Sequence, residues 1–319
     1  MRFQLTGEQR ALREATRQLL ERRFDAGALR AAAAEPGLDR VLWRELGAAG
    51  VFALRLPEAE GGVGLGLPEA VLVFEEMGRA LLPGPVLATH LAAGSVPGAA
   101  TGEVVVTSVD GALVEWLAEA DVVLGDAVGA VPLRSVDPLT PLHRVRASGP
   151  EGPDGLDRQG DTDRPDDPEG PDDPEGPDGP DPVAVLLTAA EQLGTATRAC
   201  ELAVQHARTR EQFGRPIGAF QAVQHLCADM LVRAETARAA VYAAAVTGDI
   251  PDIAAARLLA DEAAVRGVRD CLQVYGGMGF TWETEVQLHL KRTWVRAHRG
   301  GGITQSEELL ARDLLGPGR

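Results

Sequence analysis

The chain has 319 residues, of which 45% are hydrophobic and 4% aromatic, and its net charge is −16. A prior of about 150 residues per domain indicates two or three structural units, and the apolar fraction excludes a chain that is disordered throughout. Residues 149–182 carry 13 acidic and two basic residues, which leaves −5 for the rest of the chain. Without a basic face, the sequence argues against a nucleic-acid-binding protein.

Targeting signals and metal patterns are missing from the sequence. It has no run of 18 apolar residues, so we predict no membrane span, and its N-terminus lacks the apolar core of a signal peptide. Cys200, Cys227 and Cys271 lie far apart within helical patterns, which predicts buried thiols rather than a disulfide framework or a zinc site. We therefore expect a cytoplasmic protein that binds no metal.

The N-terminal third has helical periodicity. Thr6 and Gln9 have the spacing of a capping box, which predicts the start of the first helix. Apolar spacing predicts two further helices, over 38–49 and 67–82. We expect residues 1–98 to form an N-terminal helical domain.

The middle of the chain contains two segments of different composition. Short β-branched runs broken by Gly, Pro and Asp predict a reduced β domain over 99–148. Residues 149–182 repeat Pro-Asp-Asp-Pro-Glu-Gly, and proline at every third or fourth position prevents both helix and sheet pairing. We predict an extended acidic loop there, and favour a tolerated insertion over an acidic interaction arm.

Ala-rich helical patterns dominate the remainder, residues 183–319. They predict a C-terminal four-helix bundle with a short last helix, over residues 183–210, 218–247, 251–275, 284–298 and 304–315. The expected fold class is mainly α with a small β domain: an N-terminal helical domain, a reduced middle β domain and the bundle.

Two segments of the bundle have residue types that suit a nucleotide. RTREQFGRPIGAFQ (208–221) places Arg, Phe and Gln around one interhelical turn, where they could contact phosphates, a ring and a polar edge. A plain turn with an exposed arginine explains this segment equally well. QVYGGMGFTWE (273–283) has glycines that allow close approach of a ligand or of a neighbouring helix.

Taken with LTGEQRALREATRQ, LPEAEGGVGLG and FEEMGRALLPGPVLAT, these blocks resemble the acyl-CoA dehydrogenase family of flavoproteins, in the family's order. The sequence of the last block most resembles that of short actinobacterial-type members, which often work as unlike-subunit pairs. The resemblance covers most of the chain. It implies the three-part fold described above and FAD as the cofactor. It also implies α,β-dehydrogenation of an acyl-CoA or acyl-carrier thioester.

The resemblance also implies cofactor-binding residues. Arg210, Phe213 and Gln221 match residues that contact the ADP half of FAD, and Gln273 and Gly277 match a second contact with the same half. In this family these contacts reach across a subunit interface. The chain is therefore expected to form a homo- or hetero-oligomer with another acyl-CoA dehydrogenase subunit.

The chain departs from the family where the reaction takes place. The T-E-x-x-x-G-S-D type loop that holds the flavin ring, and the W-I-T type stretch after it, have no counterpart in TGEVVVTSVDG and ALVEWLAEA. Counting from Arg292, the family's glutamate base falls at Gly301, and the alternative base position falls at Ala184. Glu191 is a candidate for a displaced base, although a capped or salt-bridged helix residue is the favoured interpretation.

Two functions therefore remain open at this point. The chain is either an active dehydrogenase with an unusual base or a reduced subunit that completes the flavin site of a catalytic partner. A third hypothesis, a structural helical bundle without flavin, is disfavoured because the chain keeps Arg210, Phe213, Gln221 and Gln273.

Overall fold

A computed structural model of the chain describes residues 4–145 and 180–316. Nearly all of the expected acidic loop lies outside these ranges. The last two residues of the predicted loop begin the first bundle helix. Asp181 is the N-cap of this helix, and its side chain accepts a hydrogen bond of 2.9 Å from the Val183 amide. That helix begins at Pro182, one residue earlier than expected.

The N-terminal region is helical, as predicted. The capping box of the first helix is confirmed: the Gln9 amide donates to Thr6 Oγ1 at 3.1 Å and the Thr6 amide donates to Gln9 Oε1 at 3.0 Å. Two helices were not predicted: α2, in which Leu29 is the one large apolar residue, and α5, which has only six residues and so too few turns for a periodic signal. The helices are α1 (Gly7–Arg23), α2 (Ala26–Ala34), α3 (Arg40–Ala48), α4 (Leu67–Ala80) and α5 (Val86–Leu91).

The middle region is a small five-stranded sheet with the order β3-β1-β2-β5-β4. β1 and β3 pair in parallel, and the other pairs are antiparallel. The sheet confirms the predicted β region, but strand β2 was not predicted, since Val114 is its one β-branched residue. The strands are β1 (Val106–Asp110), β2 (Leu113–Glu115), β3 (Val122–Leu124), β4 (Val131–Leu133) and β5 (Leu142–Arg144).

The C-terminal helices form the expected bundle, with α9 shorter than predicted. After α9 the chain turns through Gly300 and Gly301, whose φ values of 58° and 77° lie outside the α-helical region, and α10 begins at Gly302. In the part of the chain that is described, no helix is long and apolar enough to span a membrane. The elements are α6 (Pro182–Thr209), β6 (Glu211–Gln212), β7 (Arg215–Pro216), α7 (Gln221–Thr247), α8 (Ile250–Tyr275), α9 (Val286–Arg296) and α10 (Gly302–Leu315).

Two glycines bring α4 into backbone contact with α6. A methyl group at Gly78 would lie 2.0 Å from the Glu191 carbonyl oxygen, and one at Gly194 would lie 1.9 Å from the Glu75 carbonyl oxygen. The Thr195 hydroxyl adds a hydrogen bond of 3.1 Å to the Gly78 carbonyl. The N-terminal domain and the bundle therefore share one core across this crossing.

We expect Gly78→Ala to lower the free energy of unfolding by about 1–3 kcal/mol or more, because the added methyl group overpacks the α4–α6 contact. Gly267→Ala in α8 is the matched control, since no atom lies within 4 Å of its new methyl group. The control should be neutral or stabilise by about 0.5–1 kcal/mol, since alanine is the better helix former. Urea unfolding of both variants measures the difference, and equal effects would contradict the backbone contact.

Candidate functional site

A short hairpin, β6–β7, joins α6 to α7. Its two turn residues, Phe213 and Gly214, have φ values of 54° and 74°, the geometry of a type I′ turn. A non-glycine residue at positive φ costs of order 1–3 kcal/mol, yet the Phe213 side chain is 91% exposed and gains little packing in return. A strained and exposed aromatic residue points to a contact outside this chain.

The residues around the hairpin carry charge and aromatic rings. The Arg215 guanidinium lies 4.2 Å from the centre of the Phe220 ring, and Phe213 meets the same ring edge-on at 6.0 Å. Arg210 ends α6 and Gln221 begins α7, both exposed. Sequence reasoning missed Arg215 and Phe220, because it interpreted 213–218 as a turn without the return strand that places them together.

The second predicted segment lies at the same end of the bundle. The His206 ring, one turn before Arg210, stacks on the Tyr275 ring with centroids 4.0 Å apart. Gln273 and Gly277 lie on either side of Tyr275 and are exposed. No atom lies within 4 Å of the position that a Gly277 Cβ would take, so the backbone there is open to approach.

The five predicted cofactor residues therefore share one exposed end of the bundle. They offer a guanidinium, an aromatic ring, two amides and open glycine backbone, the donor set that fits the ADP half of FAD. All of these groups are exposed in the isolated chain. The residues are Arg210, Phe213, Gln221, Gln273 and Gly277.

A second candidate region is a cleft of about 290 Å³ between the sheet, α5 and the start of α6. Ala184 and Gly300 line the cleft, and Gly301 follows directly. One expected base position, Ala184, thus lines the cleft and the other, Gly301, is next to a residue that does, and neither has a carboxylate. Gly301 has a φ of 77°, a left-handed conformation that a side chain would strain.

Glu191 lines this cleft but is engaged in ion pairs. Its carboxylate is 2.9 Å from Arg296 Nη2 through Oε1, and 2.9 Å from Arg299 Nη1 through Oε2. Arg299 also donates from Nε to Glu115 Oε1 at 2.8 Å. We call these two carboxylates and two guanidinium groups the charge quartet; it joins the bundle to strand β2.

The electrostatics of the quartet keep Glu191 ionised. Burial alone would raise its pKa, but the guanidinium groups of Arg296, Arg299 and Arg292 outweigh burial, and the pKa falls below its usual value of 4.5. Burial lowers the pKa of Arg296 to about 10, which leaves it charged at neutral pH. A general base needs an oxygen free to reach the substrate, and both oxygens of Glu191 already accept hydrogen bonds.

Further contacts fix the sheet over the cleft. Arg292 forms a buried ion pair with Asp137, and donates to the Leu82 and Leu139 carbonyls at 3.1 Å each. Sequence reasoning used Arg292 only as a reference for counting and missed Arg299 and Glu115 altogether. The one available signal was the arginine spacing at 292, 296 and 299.

Metal binding has no support from side-chain geometry. Within 4–145 and 180–316, no group of three or more His, Cys, Asp or Glu side chains is arranged to hold an ion.

Comparison with known proteins places this geometry in a family. A family model for the acyl-CoA dehydrogenase N-terminal domain matches residues 6–103, and one for the C-terminal domain matches residues 185–314. Acyl-CoA dehydrogenase IpdE2 of Mycobacterium tuberculosis is 38% identical, with 96% of each chain covered. IpdE2 of Mycolicibacterium smegmatis is 35% identical, with 90% of this chain and 93% of the relative covered.

Solved structures share the fold. The ChsE4–ChsE5 complex from Mycobacterium tuberculosis has a chain that matches with a TM-score of 0.77 at 22% identity, with 100% of both chains covered. Butyryl-CoA dehydrogenase from Megasphaera elsdenii matches with a TM-score of 0.76 at 18% identity, with 99% of this chain and 100% of that chain covered. At these identities the likeness concerns the fold alone.

We expect Glu191→Gln to lower the free energy of unfolding at pH 7 by about 3–5 kcal/mol, because it leaves buried guanidinium charge uncompensated. The exposed Glu283→Gln is the control and should change it by less than about 0.5 kcal/mol. Since the folded-state pKa of Glu191 is lowered, its contribution is present above pH 4.5 and is lost as the pH falls through the folded value. The stability gap between native chain and variant should therefore shrink below about pH 4.5, and a pH-independent gap in urea unfolding would contradict the ion pairing.

Proposed function

The chain belongs to the acyl-CoA dehydrogenase family of FAD-dependent oxidoreductases, and from that premise we propose that it is a reduced subunit holding the ADP half of FAD for a neighbouring subunit. The proposal rests on the contrast between the exposed end of the bundle and the cleft beside the sheet. The cofactor residues are all exposed at one end of the bundle, whereas the cleft has no free carboxylate at Ala184 or Gly301.

Each cofactor residue has a definite part in this proposal. The Arg210 guanidinium binds the diphosphate through charge-assisted hydrogen bonds, and the Phe213 ring packs on the cofactor's flat surface. Gln221 and Gln273 donate directional hydrogen bonds, and Gly277 lets the backbone approach closely. Bound FAD supplies the hydride acceptor for the β-carbon of an acyl-CoA or acyl-carrier thioester.

The remaining steps of the reaction belong, in this proposal, to a catalytic partner. That partner supplies the flavin-ring loop and the glutamate that removes the α-proton, since this chain has neither. The ChsE4–ChsE5 structure is a complex of two differently named chains, and a chain of it shares this fold, which supports an assembly of unlike subunits. A cytoplasmic location belongs to the proposal too, and the free thiols of Cys200, Cys227 and Cys271 support it.

Two alternatives have weaker support. An active dehydrogenase with Glu191 as a displaced base requires the quartet to open, because both oxygens of Glu191 are engaged. A structural bundle without flavin leaves the strained and exposed Phe213 without a purpose. The reduced-subunit proposal explains both observations.

Arg210→Ala should lower FAD affinity in the assembled oligomer by about tenfold to a hundredfold, because a charge-assisted hydrogen bond contributes roughly 1.5–3 kcal/mol. Arg266→Ala, which removes an exposed arginine paired with Glu262 at 3.0 Å, is the control and should retain FAD fully. Flavin absorbance per oligomer after dialysis measures retention. Full occupancy in Arg210→Ala would refute the cofactor assignment.

Purified alone, the chain should show little or no acyl-CoA oxidation with an artificial electron acceptor. A general base typically contributes about a hundredfold to ten-thousandfold, so its absence is easily measured beside a complete family member. Turnover should return on adding a subunit that carries both the flavin-ring loop and the glutamate. Robust turnover by the chain alone would instead favour a base within this chain.

A further inference from the structure

A cavity of about 530 Å³ lies between helix α2 and the segment that leads into α9; we call it the α2 cavity. Its inner wall is apolar and buried, formed by side chains such as Leu29, Leu202 and Leu288. A cavity of this size with a largely apolar lining is typical of small-molecule sites. None of the five predicted cofactor residues lines it, so the α2 cavity is separate from the predicted FAD contacts.

The α2 cavity adjoins a second cavity of about 220 Å³, which reaches α4. Ala26, Leu29 and Glu285 line both cavities and mark the junction. The second cavity is polar, but each of its three arginines already forms an ion pair with a carboxylate. These pairs are Arg17 with Glu76, Arg79 with Glu201 and Arg198 with Glu285.

One buried polar group in the wall of the second cavity lacks a partner. His289 is 1% exposed, and its Nδ1 has no hydrogen-bond partner among the described residues. Burial lowers the pKa of His289, so the ring is neutral at pH 7. Its Nε2 lies 3.7 Å from Oε1 of Glu285, whose pKa is lowered to about 2. Because an ionised carboxylate only accepts hydrogen bonds, the single ring proton belongs on Nε2, and Nδ1 is left as an acceptor.

We propose that the two cavities form one binding site for a neutral, apolar molecule that ends in a hydroxyl group. The apolar body occupies the α2 cavity, and the hydroxyl enters the second cavity and donates a hydrogen bond to His289 Nδ1. A buried acceptor without a partner is destabilising, and a bound hydroxyl removes that cost.

The charges of the second cavity select against ionised head groups. A carboxylate has no proton to donate to His289, and the arginines that it would meet are already paired. An ammonium group would be buried beside Glu76 and Glu285, which are paired with arginines too, and an unpaired buried charge is costly. A hydroxyl donates a hydrogen bond without bringing in a charge.

The chain carries its own reporter for this site. Trp282 lines the α2 cavity and is 62% exposed, and Lys291 Nζ lies 4.9 Å from the centre of its ring. A ligand in the cavity covers this ring, so the tryptophan emission should move to shorter wavelength. Trp282→Phe should remove the shift and leave the binding heat in calorimetry unchanged within about twofold.

Octanol titrated into the purified chain, without FAD or a partner, tests the ligand class. We expect octanol to bind at least tenfold more tightly than octanoate or octylamine. It should bind about threefold to tenfold more tightly than its isomer heptyl methyl ether, which accepts a hydrogen bond but donates none. His289→Leu should abolish the preference for octanol over the ether, and the comparison in the native chain stands if that variant does not fold.

Ala26→Phe tests the location. Ala26 is exposed at the start of α2 and lines both cavities, so a phenyl ring there narrows their junction. The variant should bind octanol at least tenfold more weakly while its thermal unfolding is unchanged. Ala31→Phe is the matched control, since Ala31 is exposed in the same helix and lines neither cavity, and it should bind octanol normally.

Several results would overturn this inference. They are the absence of octanol binding, equal affinity for octanol and octanoate or for octanol and the ether, and normal binding by Ala26→Phe. Tryptophan emission that shifts with chain concentration alone shows a second copy covering Trp282, and overturns it as well. None of these measurements involves FAD, so the proposed function is tested separately.

Discussion

The contact between α4 and α6 at Gly78 and Gly194 is the constraint on which the rest of the molecule depends. Because neither residue has a side chain, the two backbones touch, and one core extends from the N-terminal helices into the bundle. The crossing also holds Glu191, whose carbonyl oxygen abuts Gly78, within reach of Arg296 and Arg299. Arg299 in turn contacts Glu115 of strand β2. The contact between α4 and α6 therefore also helps to position the sheet.

The ion pairs of the charge quartet are also the reason why Glu191 has no oxygen free to act as a base. A catalytic carboxylate must be free to take a proton, which requires a pKa close to the working pH and an open oxygen. In this chain two of the carboxylates beside the cleft, Glu115 and Glu191, are paired with arginines, and the pKa of Glu191 is lowered. Two others, Asp110 and Asp181, accept hydrogen bonds from the Gly300 and Val183 amides. Buried ion pairs of this kind are costly to break from one side, so the quartet stabilises the structure and keeps Glu191 engaged.

Local patterns explain why some elements could be predicted and others could not. The capping box at Thr6 and the long Ala-rich helices leave strong periodic signals, and the structure bears them out. Helix α2 and strand β2 lack such signals, since Leu29 is the one large apolar residue of α2 and Val114 the one β-branched residue of β2. The Glu115–Arg299 pair spans 184 positions of sequence, and no local pattern encodes a pairing at that distance. The cofactor residues could be predicted because their motifs are contiguous, while the positions of Arg215 and Phe220 depend on a hairpin that the sequence analysis interpreted as a turn.

The predicted cofactor residues and the cleft lie against different parts of the hydrophobic interior. The end of the bundle that carries Arg210 and Gln273 has a hydrophobic cluster of its own, built around Ala203, Val268 and Cys271 and separate from the main core. The His206–Tyr275 stack closes that cluster at the surface. This end of the bundle therefore has packing contacts apart from those of the main core. Separate packing of this kind is the physical condition that the proposed division of one flavin site between two unlike chains requires.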